Sequence, residues 1–148
     1  MGSKKEKFNP LQSFESTNNK LPNGSKDSYA RITESLFISE AFQDLEPKLQ
    51  LLYIAMRLQY YGKRPVIRDF NESSPIYDKL KSDLCFYFPW HTAKKYFSRY
   101  EKNSRRLYQD IRVLIEHGFI ESVISGRNTR KNSIYKFSDK WREWKKPP

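Results

Sequence analysis

The hydrophobic positions in the first half of the chain repeat at helical intervals. In SLFISEAFQDL, residues Leu36, Phe37, Ala41, Phe42 and Leu45 stand at helical spacing, which predicts a short helix ending near Glu46. Pro47 suits the first turn of a second helix, because its missing N–H has no intrahelical partner there anyway. In PKLQLLYIAMRLQYYG, one face carries Leu49, Leu52, Tyr53, Met56 and Tyr60, and Leu51, Ala55 and Leu58 widen it. A stripe that wide belongs to a core helix, and Gly62 ends it.

The pattern then loosens and recovers. KRPVIRDFNESSPIYDKLKSD combines a short strand-like run, PVIRDF, with a Ser-Ser-Pro turn, and reads as an insertion or long connection over 63–83. CFYFP is β-prone and stops at Pro89. WHTAKKYF predicts a short helix with Trp90, Ala93, Tyr96 and Phe97 inward. Asn103 and Ser104 are good N-caps for a longer helix, whose stripe is Leu107, Tyr108, Ile111, Leu114 and Ile115. His117-Gly118 forms its C-terminus. FIESVIS and SIYKF follow as two strands, with Phe119/Val123 or Ile120/Ile124 and Ile134/Phe137 as their alternating apolar positions. Their connection, GRNTRKN, holds three cations and no acid.

Residues 1–27 are rich in Asn, Ser and Lys and read as a flexible basic tail. Phe8, Leu11 and Phe14 stand three apart there, a spacing that would let a short helix dock on a protein partner. Order is expected from SYARI, where Tyr29 and Ile32 would start a short strand, so 28–148 forms one domain with the 63–83 segment inserted.

Composition narrows the class. Ten Phe, ten Tyr and three Trp among 148 residues supply enough apolar surface for a compact core. Twenty-eight Lys and Arg against 17 Asp and Glu give +11, and residues 101–148 alone hold twelve cations and six acids. Charge concentrated in this way points to a polyanion, nucleic acid before an anionic membrane. Cys85 is the sole cysteine, which excludes an internal disulfide and fits a cytoplasmic protein. No apolar run reaches the ~18 residues of a membrane span.

The element order, with a short helix, a turn, a longer helix and a β-hairpin with a basic tip, is that of an α+β winged helix-turn-helix with a C-terminal β-hairpin wing. On the helix from Ser104, the face opposite the apolar stripe shows Arg105, Arg106, Gln109 and Arg112. A helix in the major groove offers base edges mainly its N-terminal half, where these residues stand. Arg pairs with guanine and Gln with adenine through two hydrogen bonds each. Asn103 and Ser104 would meet the duplex at the helix N-terminus, and Thr92, Lys94 and Lys95 would hold its backbone. Arg127, Asn128, Arg130 and Lys131 would grip phosphates or the minor groove from the wing, relieving their mutual repulsion. The bland alternative is that a basic helix face is simply solvated.

Enzyme chemistry finds no constellation. Gly62-Lys63-Arg64 lacks the rest of a phosphate loop, His91 and His117 are too far apart for a metal site, and Asp69 and Glu72 sit in a polar loop. No cofactor is implied. His117 reads as a helix-end residue beside the C-terminal dipole. Trp141 and Trp144, with Tyr135 and the nearby Lys140, Arg142, Lys145 and Lys146, would suit stacking of single-stranded bases; folding back to cap the core as a short helix is the favoured alternative for Trp141.

Two stretches carry a family likeness. YARITESLFISEAFQDLEPKLQLLYIAMRLQYYG resembles the opening of replication-initiator-like winged-helix proteins of Gram-positive plasmids, phages and conjugative elements. SRRLYQDIRVLIEHGFIESVISGRNTRKNSIYKFSDKW resembles their recognition helix and wing, so the likeness covers roughly 28–141. It implies double-stranded DNA binding, with the DNA-facing helix on Ser104 to His117 and the wing on Gly126 to Asn132. The longer 63–83 stretch and the lack of a long C-terminal region depart from full initiators. They favour an accessory or regulatory factor in transfer, replication or transcription, acting by occupancy and compatible with a homodimer on DNA. The competing function is an adapter that recruits a protein partner without reading sequence.

Overall fold

The computed structural model describes residues 28–60, 66–81, 85–125 and 133–148. Among these residues it is a mixed α+β fold with six α-helices and one small antiparallel sheet. Residues 28–33 form no strand, and SLFISEAFQDL holds two short helices rather than the single one expected. These are α1 (Glu34–Phe37) and α2 (Glu40–Asp44). Ser39 divides them: its Oγ donates to Leu36 O at 2.7 Å and accepts from Phe42 N at 3.2 Å, closing one helix and capping the next. The division leaves Phe37 and Ile38 exposed.

α3 (Pro47–Tyr60) starts at Pro47 as expected and buries Leu49, Leu52, Tyr53, Ala55 and Met56, while Leu51 faces outward. PVIRDF forms no strand. Val66–Asp69 is a 3-10 turn, and α4 (Tyr77–Leu80) follows it. β1 (Cys85–Tyr87) leads through Phe88 and Pro89 into α5 (Trp90–Tyr96). A 3-10 turn over Ser98–Tyr100 precedes α6 (Ser104–Glu116), and β2 (Ile120–Ile124) and β3 (Ile134–Phe137) complete the sheet. A last 3-10 turn spans Lys140–Arg142.

The strand order is β1-β3-β2, so the last strand inserts between the other two. Alternation along β1 and β3 sorts side chains onto two faces. Phe86, Tyr135 and Phe137 join Ile120 in the main core, with Phe86 and Phe137 stacked at 4.3 Å. Cys85 and Ile134 point the other way, into a second cluster with Val66 and Leu80. Ile134 and Phe137 therefore serve different cores. In β2 the simple alternation fails, because the register slips between Ser122 and Ile124. The extra residue lets Val123 and Ile124 both pack on the second cluster. The described part of the 63–83 segment is thus more than a connection: it covers the outer sheet face.

Aromatic rings dominate the main core. Phe119 meets Phe42 edge-on at 6.1 Å, Tyr53 at 5.0 Å and Trp141 in parallel at 6.3 Å. Each such pair adds roughly 0.5–1.5 kcal/mol beyond its buried area. Trp141 is buried, as expected for a ring that caps the core.

Candidate nucleic-acid interface

α6 is built from its cap inward. Asn103 has an extended backbone, and its Oδ1 accepts from Arg105 N at 2.8 Å. The helix buries Leu107, Asp110, Ile111 and Leu114. Tyr108 and Ile115, expected on that stripe, are instead half-exposed, at 50% and 37%. The reason is geometric: α6 turns the 107–111–114 line to the core, and Asp110, three residues after Leu107, takes the place beside it.

Asp110 holds the connection between α5 and α6. Tyr100 Oη donates to its Oδ2 at 2.6 Å, and Arg99 Nε stands 3.7 Å from the same oxygen. Arg99 Nη2 also donates to Tyr100 Oη at 2.8 Å and to Lys48 O at 2.9 Å, which ties the turn to the start of α3. Its guanidinium stacks on both Phe97 and Tyr100. Burial, and then the bond to Asp110, push the Tyr100 phenol well above its usual range, so it remains a donor. From α5, Trp90 Nε1 donates to Tyr100 O at 2.6 Å. A rigid turn between two packed helices results. Spacing alone gave a signal for Asp110, since it lies among apolar residues, but none for Arg99 or Tyr100.

The exposed face carries Arg105, Arg106, Gln109 and Arg112, at intervals of one, three and three. Among the described residues none of these three arginines forms an ion pair. Ser104 is half-buried at the first turn and Asn103 is exposed. On α5, Lys94 and Lys95 are exposed and Thr92 is half-buried; Lys94 lies over the Trp90 ring at 4.4 Å. Tyr96, expected inward, is 43% exposed and accepts from Gln59 Nε2. Asn103, Ser104 and the four side chains of α6 are thus gathered on one element, with α5 packed against it. Arg127, Asn128, Arg130 and Lys131 lie outside the described residues.

At the far end of α6 the polar groups are paired. His117 places Nδ1 2.8 Å from Val113 O and Nε2 2.8 Å from Asp44 Oδ2, and its ring stacks on Trp144 at 4.5 Å. Lys145 and Lys146 reach Glu40 and Asp44. His117 is therefore more than a helix end: it joins α6 to α2 and the C-terminal segment. Trp144 packs there, and Trp141 is 5% exposed, so neither stands out as a free platform for bases. Among the described residues no cluster of His, Cys, Asp and Glu could hold a metal ion. No described helix is long and apolar enough to cross a membrane.

Comparison with protein-family models, curated proteins and solved structures found no match to this chain in any of the three.

Proposed function

We propose that the protein binds double-stranded DNA as a winged helix-turn-helix, with α5 and α6 as the paired helices and the β2–β3 hairpin as the wing. The observation that carries this reading is the face of Arg105, Arg106, Gln109 and Arg112 on α6, which presents to solvent, opposite a buried stripe, three guanidinium groups without ion pairs among the described residues. The turn held by Asp110 supports it, because base reading needs a helix fixed in position. The chain acts by occupancy, as an accessory or regulatory factor. The likeness of its two stretches to initiator-like proteins supplies the setting, a mobile genetic element.

Binding to a random-sequence duplex pool across a salt series tests this reading, with the retained duplexes sequenced. Affinity should fall steeply with salt, by a slope of about 0.9 per phosphate neutralised, and a motif should be enriched. Arg106→Ala/Arg112→Ala should weaken binding by roughly tenfold or more and relax the motif. Salt-dependent binding without enrichment would leave a non-specific clamp. Absence of binding at physiological salt would overturn the reading in favour of the adapter.

A further inference from the structure

A cleft of about 400 Å³ opens at the base of the β2–β3 hairpin, where Ile120 pairs with Phe137. This is the end of the strands away from Ser125 and Ser133. No residue of α6 lines the cleft. Residues of the segment entering α1, of α3, of the hairpin base and of the last 3-10 turn form its walls.

Its charge is one-sided. Arg31, Arg57, Lys136 and Arg142 line it, and among the described residues none is in an ion pair. A fifth cation, Lys140, is neutralised by Glu121 at 2.7 Å, and each of the two holds the other in its charged form. Among the described residues, Asp139 is then the one remaining lining carboxylate, against four cations.

Two of those cations are oriented by rings. The Arg57 guanidinium lies 4.2 Å from the Phe137 centroid while its Nε donates to Tyr53 Oη at 3.0 Å. Arg142 lies 4.4 Å from the Trp141 centroid. Both rings are buried, so they form a fixed floor. A guanidinium flat on a ring keeps its in-plane N–H donors available, and its fork matches the spacing of two oxyanion oxygens.

We infer that this cleft binds a small phosphorylated ligand, its phosphoryl oxygens held by Arg57 and Arg142. The cleft falls within the ~300–1,000 Å³ usual for small-molecule sites. Four cations to one carboxylate suit a multiply charged phosphoryl group better than a single carboxylate. The site is independent of the duplex-reading face on α6, and either could exist without the other.

Titration of the full chain with inorganic pyrophosphate at constant ionic strength, read by calorimetry and by ¹⁵N–¹H spectra, tests the inference. Saturable binding is expected, with resonance shifts centred on Arg57 and on 136–142. Arg57→Gln/Arg142→Gln should weaken it about tenfold or more, while Arg106→Ala/Arg112→Ala leaves it unchanged. Both glutamine substitutions are at solvent-accessible positions, and circular dichroism verifies that the fold is kept. A failure to saturate by millimolar pyrophosphate, or undiminished binding by the glutamine variant, would overturn the assignment. So would a pyrophosphate response spread equally over the α6 arginines. If the glutamine variant loses duplex affinity as steeply as pyrophosphate affinity, the cleft belongs to the DNA track and the small-ligand assignment fails.

Discussion

The two ends of α6 use charge in opposite ways. At the N-terminal half, Arg105, Arg106 and Arg112 stand in solvent without carboxylate partners among the described residues. At the C-terminal end, His117 engages Asp44 and Val113, and Lys145 and Lys146 fasten the C-terminal segment to Glu40 and Asp44. One end spends its polar groups on holding the fold, and the other keeps them available to a partner. Net charge does not separate the two; partnership does. Substitutions at the C-terminal end should therefore cost stability, and substitutions at the N-terminal half should cost binding.

Gly118→Ala should give the largest break. Gly118 takes φ +82°, and an added Cβ would lie 2.6 Å from Trp141 N and 2.7 Å from Lys140 C. Those atoms are backbone, and Trp141 N is also bonded to Gly118 O at 3.1 Å, so they cannot yield cheaply. A loss of roughly 2–4 kcal/mol is expected in urea unfolding. The remaining folded protein should bind duplex as wild type does. A variant of undiminished stability would show that α6, β2 and the last turn meet less tightly than described.

Asp110→Ala is expected to cost less, about 2 kcal/mol, by leaving Tyr100 Oη and Arg99 without their buried acceptor. It sharpens the comparison because Asp110 lies between the two ends. It touches no exposed arginine, yet it fixes the turn that positions them. Both stability and duplex affinity should fall. Asp110→Asn keeps an acceptor for Tyr100 and should recover part of each. A stability loss with unchanged affinity would separate the turn from the binding face.

The same contrast explains what could be read from the chain. α3, β1, α5, α6 and the two hairpin strands follow from periodicity, a proline, caps and a glycine, all of which act over a few residues. The division at Ser39 was missed, although a helix-capping residue inside an apolar run is its local signal. The exposed face of α6 was legible because it is the complement of a buried stripe. The Arg99–Tyr100–Asp110 network, the Asp44–His117 contact and the cleft beneath Arg57 and Arg142 were not. They join residues 10 and 73 positions apart, or four separate segments, and no local pattern encodes such distances. Likewise, one extra residue in β2 overrode the alternation expected at Val123 and Ile124.

The smallest effect expected is a pH dependence confined to the C-terminal end. The hydrogen bond from His117, followed by the charge of Lys146, holds the Asp44 carboxyl below its ordinary range. The backbone N–H of Lys146, then the Lys145 ammonium, does the same for Glu40. A carboxylate whose folded pKa is depressed stabilises the fold fully above its unfolded pKa, and that contribution is lost as pH falls through the folded value. Urea-unfolding stability should therefore decline below about pH 5, and Asp44→Asn should flatten the decline. Both carboxylates are at the surface, so the difference will be modest. An equal slope in wild type and Asp44→Asn would mean that this end is held by the Trp144–His117 stack and the buried Trp141 rather than by charge. Neither carboxylate contacts the arginines of the N-terminal half; the carboxylates' partners are His117, Lys145 and Lys146. Duplex binding should thus persist on acidification for as long as the fold does, and an earlier loss of binding would show that the two ends of α6 are coupled.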